Sequence, residues 1–216
     1  MILQNFIVFE GIDGAGTSTQ LDLLKQETKT SKHFLFTAEP TSASTGRYLR
    51  LMLKGDIPLT NETAAYLFAA DRNEHINGSL LIEENRLVTG LAEACRRGDI
   101  VVSDRYLFSS LAYQSINCAP EIPRTLNSFF PLPALLFYFD IDVETALARL
   151  GNRSFREIYE KKDFLDKVVA EYKKILAEYR DKNTGMKIIV LDASQSKEEI
   201  RVTIWKEIEA YLSHPV

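Results

Sequence analysis

Phe6-Ile7-Val8-Phe9-Glu10-Gly11-Ile12-Asp13-Gly14-Ala15-Gly16-Thr17-Ser18 is the stretch that decides the fold. An apolar run of strand type passes into a glycine-rich turn. The turn passes into Thr19-Gln20-Leu21-Asp22-Leu23-Leu24, which has helical periodicity. Strand, glycine-rich loop and helix in that order form the context of a phosphate-cradling P-loop. Glycines let backbone N–H groups turn inward around an anion, and the helix N-terminus adds partial positive charge. Gly11 and Gly16 have the motif's spacing, and Ser18 stands at its metal-binding hydroxyl. Thr17 stands where the motif has lysine. The loop therefore reads as a nucleoside triphosphate site that lacks the ammonium normally placed on the phosphates being transferred.

Outward from this loop, five apolar runs read as buried parallel strands: Asn5–Glu10, His33–Thr37, Ile100–Ser103, Ala134–Asp140 and Lys187–Leu191. Helical periodicity falls on Thr19–Lys29, Thr45–Leu53, Glu62–Ile76, Glu83–Arg97, Phe108–Ile116, Val143–Leu150, Lys162–Arg180 and Lys197–Leu212. The stretch from Asn77 to Asn85 reads as a loop or helix break. Alternating strands and helices predict a single α/β domain over residues 1–216, with a five-stranded parallel sheet flanked by helices on both faces. Ligands in such sheets sit at the carboxyl ends of the strands. Gly11–Ser18, Glu39-Pro40 and Asp104-Arg105 all fall there. The charged segment near 151–162 reads as a surface loop able to act as a mobile lid.

Composition narrows the class. The chain has 216 residues and a formal net charge of -4, so it carries no overall basic signature of nucleic-acid binding. No apolar run reaches the ~20 residues that span a bilayer. The two cysteines, Cys95 and Cys118, are too few for a disulfide framework and read as free thiols. No signal peptide is visible, and a cytoplasmic enzyme is the expectation.

Four further constellations can carry chemistry. Asp104-Arg105-Tyr106 ends an apolar strand. There an aspartate can help hold magnesium and an arginine can grip a phosphate through its planar fork; a helix-capping Asp with a solvated neighbour is the plainer alternative. Phe68 and Arg72 are four apart on one helical face, able to stack a base and bond its edge; a core Phe beside a solvated Asp71-Arg72 pair is the alternative. Ser110, Tyr113 and Gln114 share a face that can read a base or ribose, or simply face solvent. Arg149, Arg153 and Arg156 sit in the charged loop, where they can neutralise charge in phosphoryl transfer or form an ordinary solvated surface.

The chain resembles the thymidylate kinase family of P-loop nucleoside monophosphate kinases. The resemblance rests on Phe6–Gln20, Phe36-Thr37 with Glu39-Pro40, Leu67–Arg72 with His75, Asp104–Gln114 and the Arg149-to-Phe164 region, in the family's order. The runs Asp-Arg-Tyr with Ser-Ser-Leu-Ala-Tyr-Gln at 104–114, and Leu-Phe-Ala-Ala-Asp-Arg at 67–72, are its specific parts. The resemblance implies transfer of the ATP γ-phosphate to dTMP with Mg2+, in a cytoplasmic homodimer. It assigns ATP to Gly11, Gly14, Ala15, Gly16, Thr17, Ser18, Thr19 and Arg149. It assigns dTMP to Asp13, Glu39, Pro40, Arg50, Phe68, Arg72, Arg105, Ser110, Tyr113 and Gln114. Catalysis would involve Asp13, Arg105, Arg153 and Arg156, and the metal Ser18 and Asp104. Gly14 with Arg149, Arg153 and Arg156 looks like the type of member that places its arginines in the lid.

The chain departs from the family pattern in three places. Thr17 replaces the lysine. Ala38 and Thr41-Ser42-Ala43 replace an arginine and a Gly-Gly-Thr, although Arg47 and Arg50 lie nearby. About a dozen residues after His75 look inserted, with an expected effect on the surface or a dimer contact. Two alternatives stay open: a kinase for another nucleoside or nucleotide, and a nucleotide-binding protein with lost or weak catalysis.

Overall fold

The computed structural model describes residues 1–29, 33–81, 87–151, 159 and 161–213. Its first half runs β1 (Ile2–Gly11), α1 (Thr17–Glu27), β2 (Phe34–Ala38), α2 (Ser44–Leu53), α3 (Asn61–Asn77), β3 (Ser79–Leu81), β4 (Leu87–Thr89) and α4 (Leu91–Arg96). The second half runs β5 (Ile100–Asp104), α5 (Leu107–Asn117), α6 (Glu121–Asn127), β6 (Leu132–Asp140), α7 (Val143–Leu150), α8 (Lys162–Asp181), β7 (Lys187–Asp192) and α9 (Lys197–Ser213).

The expected strands form one five-stranded sheet in the order β2-β5-β1-β6-β7, with every pairing parallel. Burial explains the order. β1, β5 and β6 are the most apolar runs and take the centre, where Phe6, Ile7, Val8, Phe9, Val101, Val102, Leu136 and Phe137 have no exposure. Each such side chain contributes roughly 1.5–3 kcal/mol by leaving water. The less buried β2 and β7 form the edges. Helices flank the sheet, with α1 against α9 and α5 against α8 and α6. Because all five strands run the same way, their carboxyl ends share one edge, and Gly11, Ala38 and Asp104 end β1, β2 and β5 there.

The fold differs from the sequence reading in several places. β1 starts earlier than expected, at Ile2. Asn5 has φ 62, and the register to β6 shifts between Leu3 and Ile7, so an irregular residue lets the strand continue. Of the helix expected over Glu83–Arg97, the described residues form α4 from Leu91, and Leu87–Thr89 are strand instead. Upstream of α4, β3 and β4 make a small antiparallel sheet where a loop and an insertion were expected. Gly90 is the N-cap of α4, a position where glycine is tolerated. The helix α6 has no counterpart in the sequence reading. Pro120 and Pro123 mark a turn by composition, yet both sit at a helix start, where a missing N–H costs no internal bond.

Candidate active site

Gly11–Ser18 wraps the end of β1 and delivers the chain into α1. Gly14 has φ +85 and Gly16 φ +101, conformations that L side chains rarely adopt. At Gly14 space is closed as well: a Cβ there would stand 2.3 Å from the carbonyl oxygen of Ala146. The loop thus lies directly on α7. The α1 N-cap is Gly16, which has no side chain to offer, and the first turn carries no acidic residue. Its N–H groups are left for an anion. A cavity of about 450 Å³ opens on this loop, lined also by Arg149, Leu150, Gln195, Lys197 and Ile200. Arg149 belongs to the last turn of α7 rather than to a loop, a place that favours a cation. Thr17 and Thr19 line the same cavity. Arg153 and Arg156, and most of the expected lid, lie outside the described residues.

Ser18 Oγ donates to Asp104 Oδ2 at 2.5 Å, bringing together the two residues expected to hold a metal. Asp104 Oδ1 is buried without a hydrogen-bond partner among the described residues. A hydroxyl and a carboxylate are hard oxygen donors. Mg2+ bound to phosphates commonly takes only one or two protein ligands and keeps several waters. The donor set therefore fits magnesium.

A second cavity, of about 320 Å³, adjoins the first; Asp13, Ser18 and Arg105 line both. Arg105 sits at their junction with φ 70. Its backbone N–H donates to Phe9 O at 2.8 Å. Its Nη1 donates to Gly11 O at 2.9 Å and to Ser109 Oγ at 3.0 Å, and its Nη2 to Asp13 Oδ1 at 2.7 Å. Tyr113 donates its phenolic hydrogen to the other Asp13 oxygen at 3.1 Å. Burial works most strongly against the Arg105 charge, but Asp13, Tyr113, Tyr172 and Asp104 together outweigh it, and the pKa is held well above the usual arginine value. The junction keeps its positive charge at every working pH.

Phe68 and Arg72 share the lining of this cavity with Ser110, Tyr113 and Gln114. Arg72 is 1% exposed. Its Nε donates to Glu39 Oε2 at 2.9 Å, its Nη2 to Ser110 Oγ at 3.0 Å, and its Nη1 to Asn127 Oδ1. The guanidinium lies over the Tyr106 and Phe130 rings, 5.3 and 5.7 Å from their centroids. A guanidinium has five N–H donors, so Nη1 retains a second hydrogen. Glu39 Oε1 meets His75 Nδ1 at 2.9 Å, and His75 Nε2 meets Thr37 Oγ1 at 2.7 Å. Glu39 thus has both oxygens engaged in fixing Arg72 and His75. Pro40 lines the cavity, and its carbonyl accepts from Arg50, which also lines it. Arg47 instead turns outward, to Ser42 O and Ser44 Oγ.

Two residues were missed by sequence reasoning. Asn127, on the unexpected α6, reaches Arg72. Asp71 is not the solvated partner of Arg72 that its neighbourhood suggests. It is 1% exposed and accepts from Thr41 N at 2.7 Å, Thr41 Oγ1 at 2.6 Å and Thr45 Oγ1 at 2.6 Å. Thr41, one of the departures from the family pattern, is therefore the residue that pins the loop after β2. The threonines spaced at 41 and 45 were the only available signal.

Comparison with known proteins adds to this geometry. A family model described as thymidylate kinase matches residues 9–204. A Treponema pallidum (strain Nichols) protein with a provisional thymidylate kinase name is 37% identical over 211 residues, 97% of each chain. A probable thymidylate kinase of Methanocaldococcus jannaschii is 37% identical over 215 residues, 99% of this chain and 98% of that one. A thymidylate kinase of Leptospira interrogans is 36% identical over 176 residues, 79% of this chain and 81% of its own.

Proposed function

The chain belongs to the thymidylate kinase family, and from that premise we propose that it transfers the γ-phosphate of ATP to dTMP, giving dTDP and ADP. The observation that carries this reading is the pair of adjoining cavities joined at Asp13, Ser18 and Arg105. The P-loop cavity takes ATP. The Phe68–Arg72 cavity takes dTMP, with the thymine on Phe68, an Arg72 N–H on its edge, and the monophosphate on Arg105. A dTMP phosphate oxygen then attacks the γ-phosphorus in line. The new O–P bond forms as the bond to the β,γ-bridging oxygen breaks, and that electron pair leaves with ADP. Such a transfer needs positioning and charge neutralisation rather than a covalent enzyme intermediate.

Ser18 and Asp104 are the residues to hold Mg2+, which supplies charge neutralisation on the donor phosphates. Thr17 offers no ammonium there. Arg149 lines the donor cavity, and Arg153 and Arg156 are proposed from the sequence to add positive charge. We assign the protein to the cytoplasm and to a homodimer. Buried, unbonded Cys95 and Cys118 suit a reducing compartment. No helix among the described residues is long and apolar enough to cross a membrane.

A coupled kinase assay with ATP, magnesium and a panel of nucleoside monophosphates tests the reading. dTMP should lead, dUMP should follow within the ~1–3 kcal/mol that one methyl carries, and dCMP and dGMP should fall far behind, because a wrong base leaves buried polar groups unpaired. Equal turnover of purine monophosphates would sink the dTMP assignment. Binding of ATP and dTMP without turnover would favour a nucleotide-binding protein instead. Light scattering of the purified chain checks the dimer.

A further inference from the structure

Glu10 is completely buried at the end of β1 and lines neither cavity. A carboxylate in such a place is costly unless its oxygens are bonded. Four donors meet it. Oε1 accepts from Tyr106 N at 2.8 Å and Ser109 N at 3.1 Å. Oε2 accepts from Ser109 Oγ at 2.6 Å and Tyr172 Oη at 2.8 Å. The two N–H groups belong to the start of α5, whose own N-cap, Tyr106, offers no side-chain bond. Glu10 therefore caps that helix from a distant strand.

The same carboxylate governs Ser109. This hydroxyl has a single hydrogen. Once that hydrogen goes to Oε2, only lone pairs face the other way, and Arg105 Nη1 donates into one at 3.0 Å. The backbone agrees with this. Arg105 has φ 70, a left-handed conformation costing roughly 1–2 kcal/mol for a non-glycine residue. Bonds on both sides hold it there: Arg105 N to Phe9 O, and Tyr106 N to Glu10. We propose that Glu10 is a positioning residue for the acceptor phosphate, fixing the direction of the Arg105 guanidinium through Ser109 and the start of α5. This rests on the reading above, in which Arg105 holds the dTMP phosphate.

The charge of Glu10 is then part of the device. The groups around it are Tyr172 on α8, Tyr138 on β6, and Arg105, with Tyr113, Asp13 and Asp104 beyond Arg105. Burial pushes Tyr172, Tyr113 and Tyr138 upward, and Arg105 keeps its proton. Burial pushes Glu10 itself up to about 7, against the pull of Ser109, Arg105 and Tyr172. When Glu10 takes up a proton, Arg105 loses a buried anion as neighbour and Ser109 loses its fixed polarity.

The experiment is steady-state kinetics of the wild type, Glu10→Gln and Ser109→Ala across the neutral range, with ATP saturating and dTMP varied. Glu10→Gln keeps an oxygen for the two N–H groups but cannot take the Ser109 hydrogen. Its KM for dTMP, divided by that of the wild type, should be near unity at low pH. It should rise to roughly tenfold above pH 8, the size of one weakened charge-assisted hydrogen bond. Titration of the dTMP phosphate near pH 6 cancels in this ratio. Ser109→Ala leaves the carboxylate and its cap in place and should show the same high KM above pH 8, while the KM for ATP stays unchanged in both variants. If Glu10→Gln fails to fold, Ser109→Ala carries the test. A ratio that stays flat with pH overturns the proposal. So does Ser109→Ala with a wild-type KM for dTMP, which would leave Glu10 as a structural cap only. A wild type that makes no dTDP overturns the underlying reading, and the proposal with it.

Discussion

Glu39→Gln tests the base end of the site directly. Glu39 and Arg72 form an ion pair with side-chain exposures of 4% and 1%, and Arg72 Nη2 lies 2.7 Å from Glu39 Oε2. The amide keeps the shape and removes the anion. The guanidinium cannot shed its proton to escape, so a buried cation loses its only described counter-ion. Breaking one side of a buried pair costs about 3–5 kcal/mol. Asn127, Ser110 and the faces of Tyr106 and Phe130 remain around Arg72, which points to the lower end, about 3 kcal/mol. In a chain of this size 1 kcal/mol moves Tm by roughly 2–4 °C, so the expected fall is about 6–12 °C. Calorimetry measures the fall, and a coupled assay should show the KM for dTMP rising about tenfold or more with the KM for ATP unchanged. The double variant Glu39→Gln/Arg72→Met removes the orphaned charge. It should recover much of the lost stability without recovering dTMP affinity. A Tm for Glu39→Gln close to that of the wild type would refute the reasoning.

Gly14→Ala should cripple ATP use, because the φ of +85 is strained for alanine and the new Cβ would meet backbone at Ala146 O; dTMP binding by calorimetry should stay near wild type, and an unchanged KM for ATP contradicts this. For Thr17→Lys we expect kcat to stay level or fall, since a new ammonium would be repelled by cations already at the donor cavity, Arg149 among them. A large gain in kcat with little change in either KM would instead mark an impaired kinase. The stability of the wild type should fall as pH rises. Glu10 titrates at about 7 when folded against 4.5 in its ordinary state, so the folded chain binds that proton more tightly. The stabilisation is full below the lower value and lost on passing the upper one, an effect of up to about 3 kcal/mol. Urea denaturation at several pH values should show a flatter profile for Glu10→Gln between about pH 5 and 8; parallel profiles would contradict it.

Much of the molecule was legible because the signals are local. The apolar runs at 100–103 and 134–140 are strands wherever they are placed, since only a buried parallel sheet covers both faces of such a run. The P-loop is contiguous, so its glycines and Ser18 could be read together. Phe68 with Arg72, and Ser110 with Gln114, share a face through helical spacing alone. Failures came where local chemistry was ambiguous. The helix at 121–127 went unread, because prolines at 120 and 123 suit a turn as well as a helix start. The stretch at 83–90 read as helix although part of it pairs as strand.

By itself the sequence determined the five strands of the parallel sheet and most of the helices between them, and the placing of Gly11–Ser18, Glu39-Pro40 and Asp104-Arg105 along one edge. Periodicity and chain continuity suffice for these. Only the tertiary structure decided what each polar side chain does. Asp71 holds Thr41 and Thr45, Asn127 and Glu39 hold Arg72, and Glu10 caps α5 and steers Ser109 toward Arg105. A charged residue on a helix or strand looks the same in sequence whether it faces water or a partner many tens of residues away. Its partner is fixed only when folding removes the water and leaves a particular donor or acceptor to satisfy it.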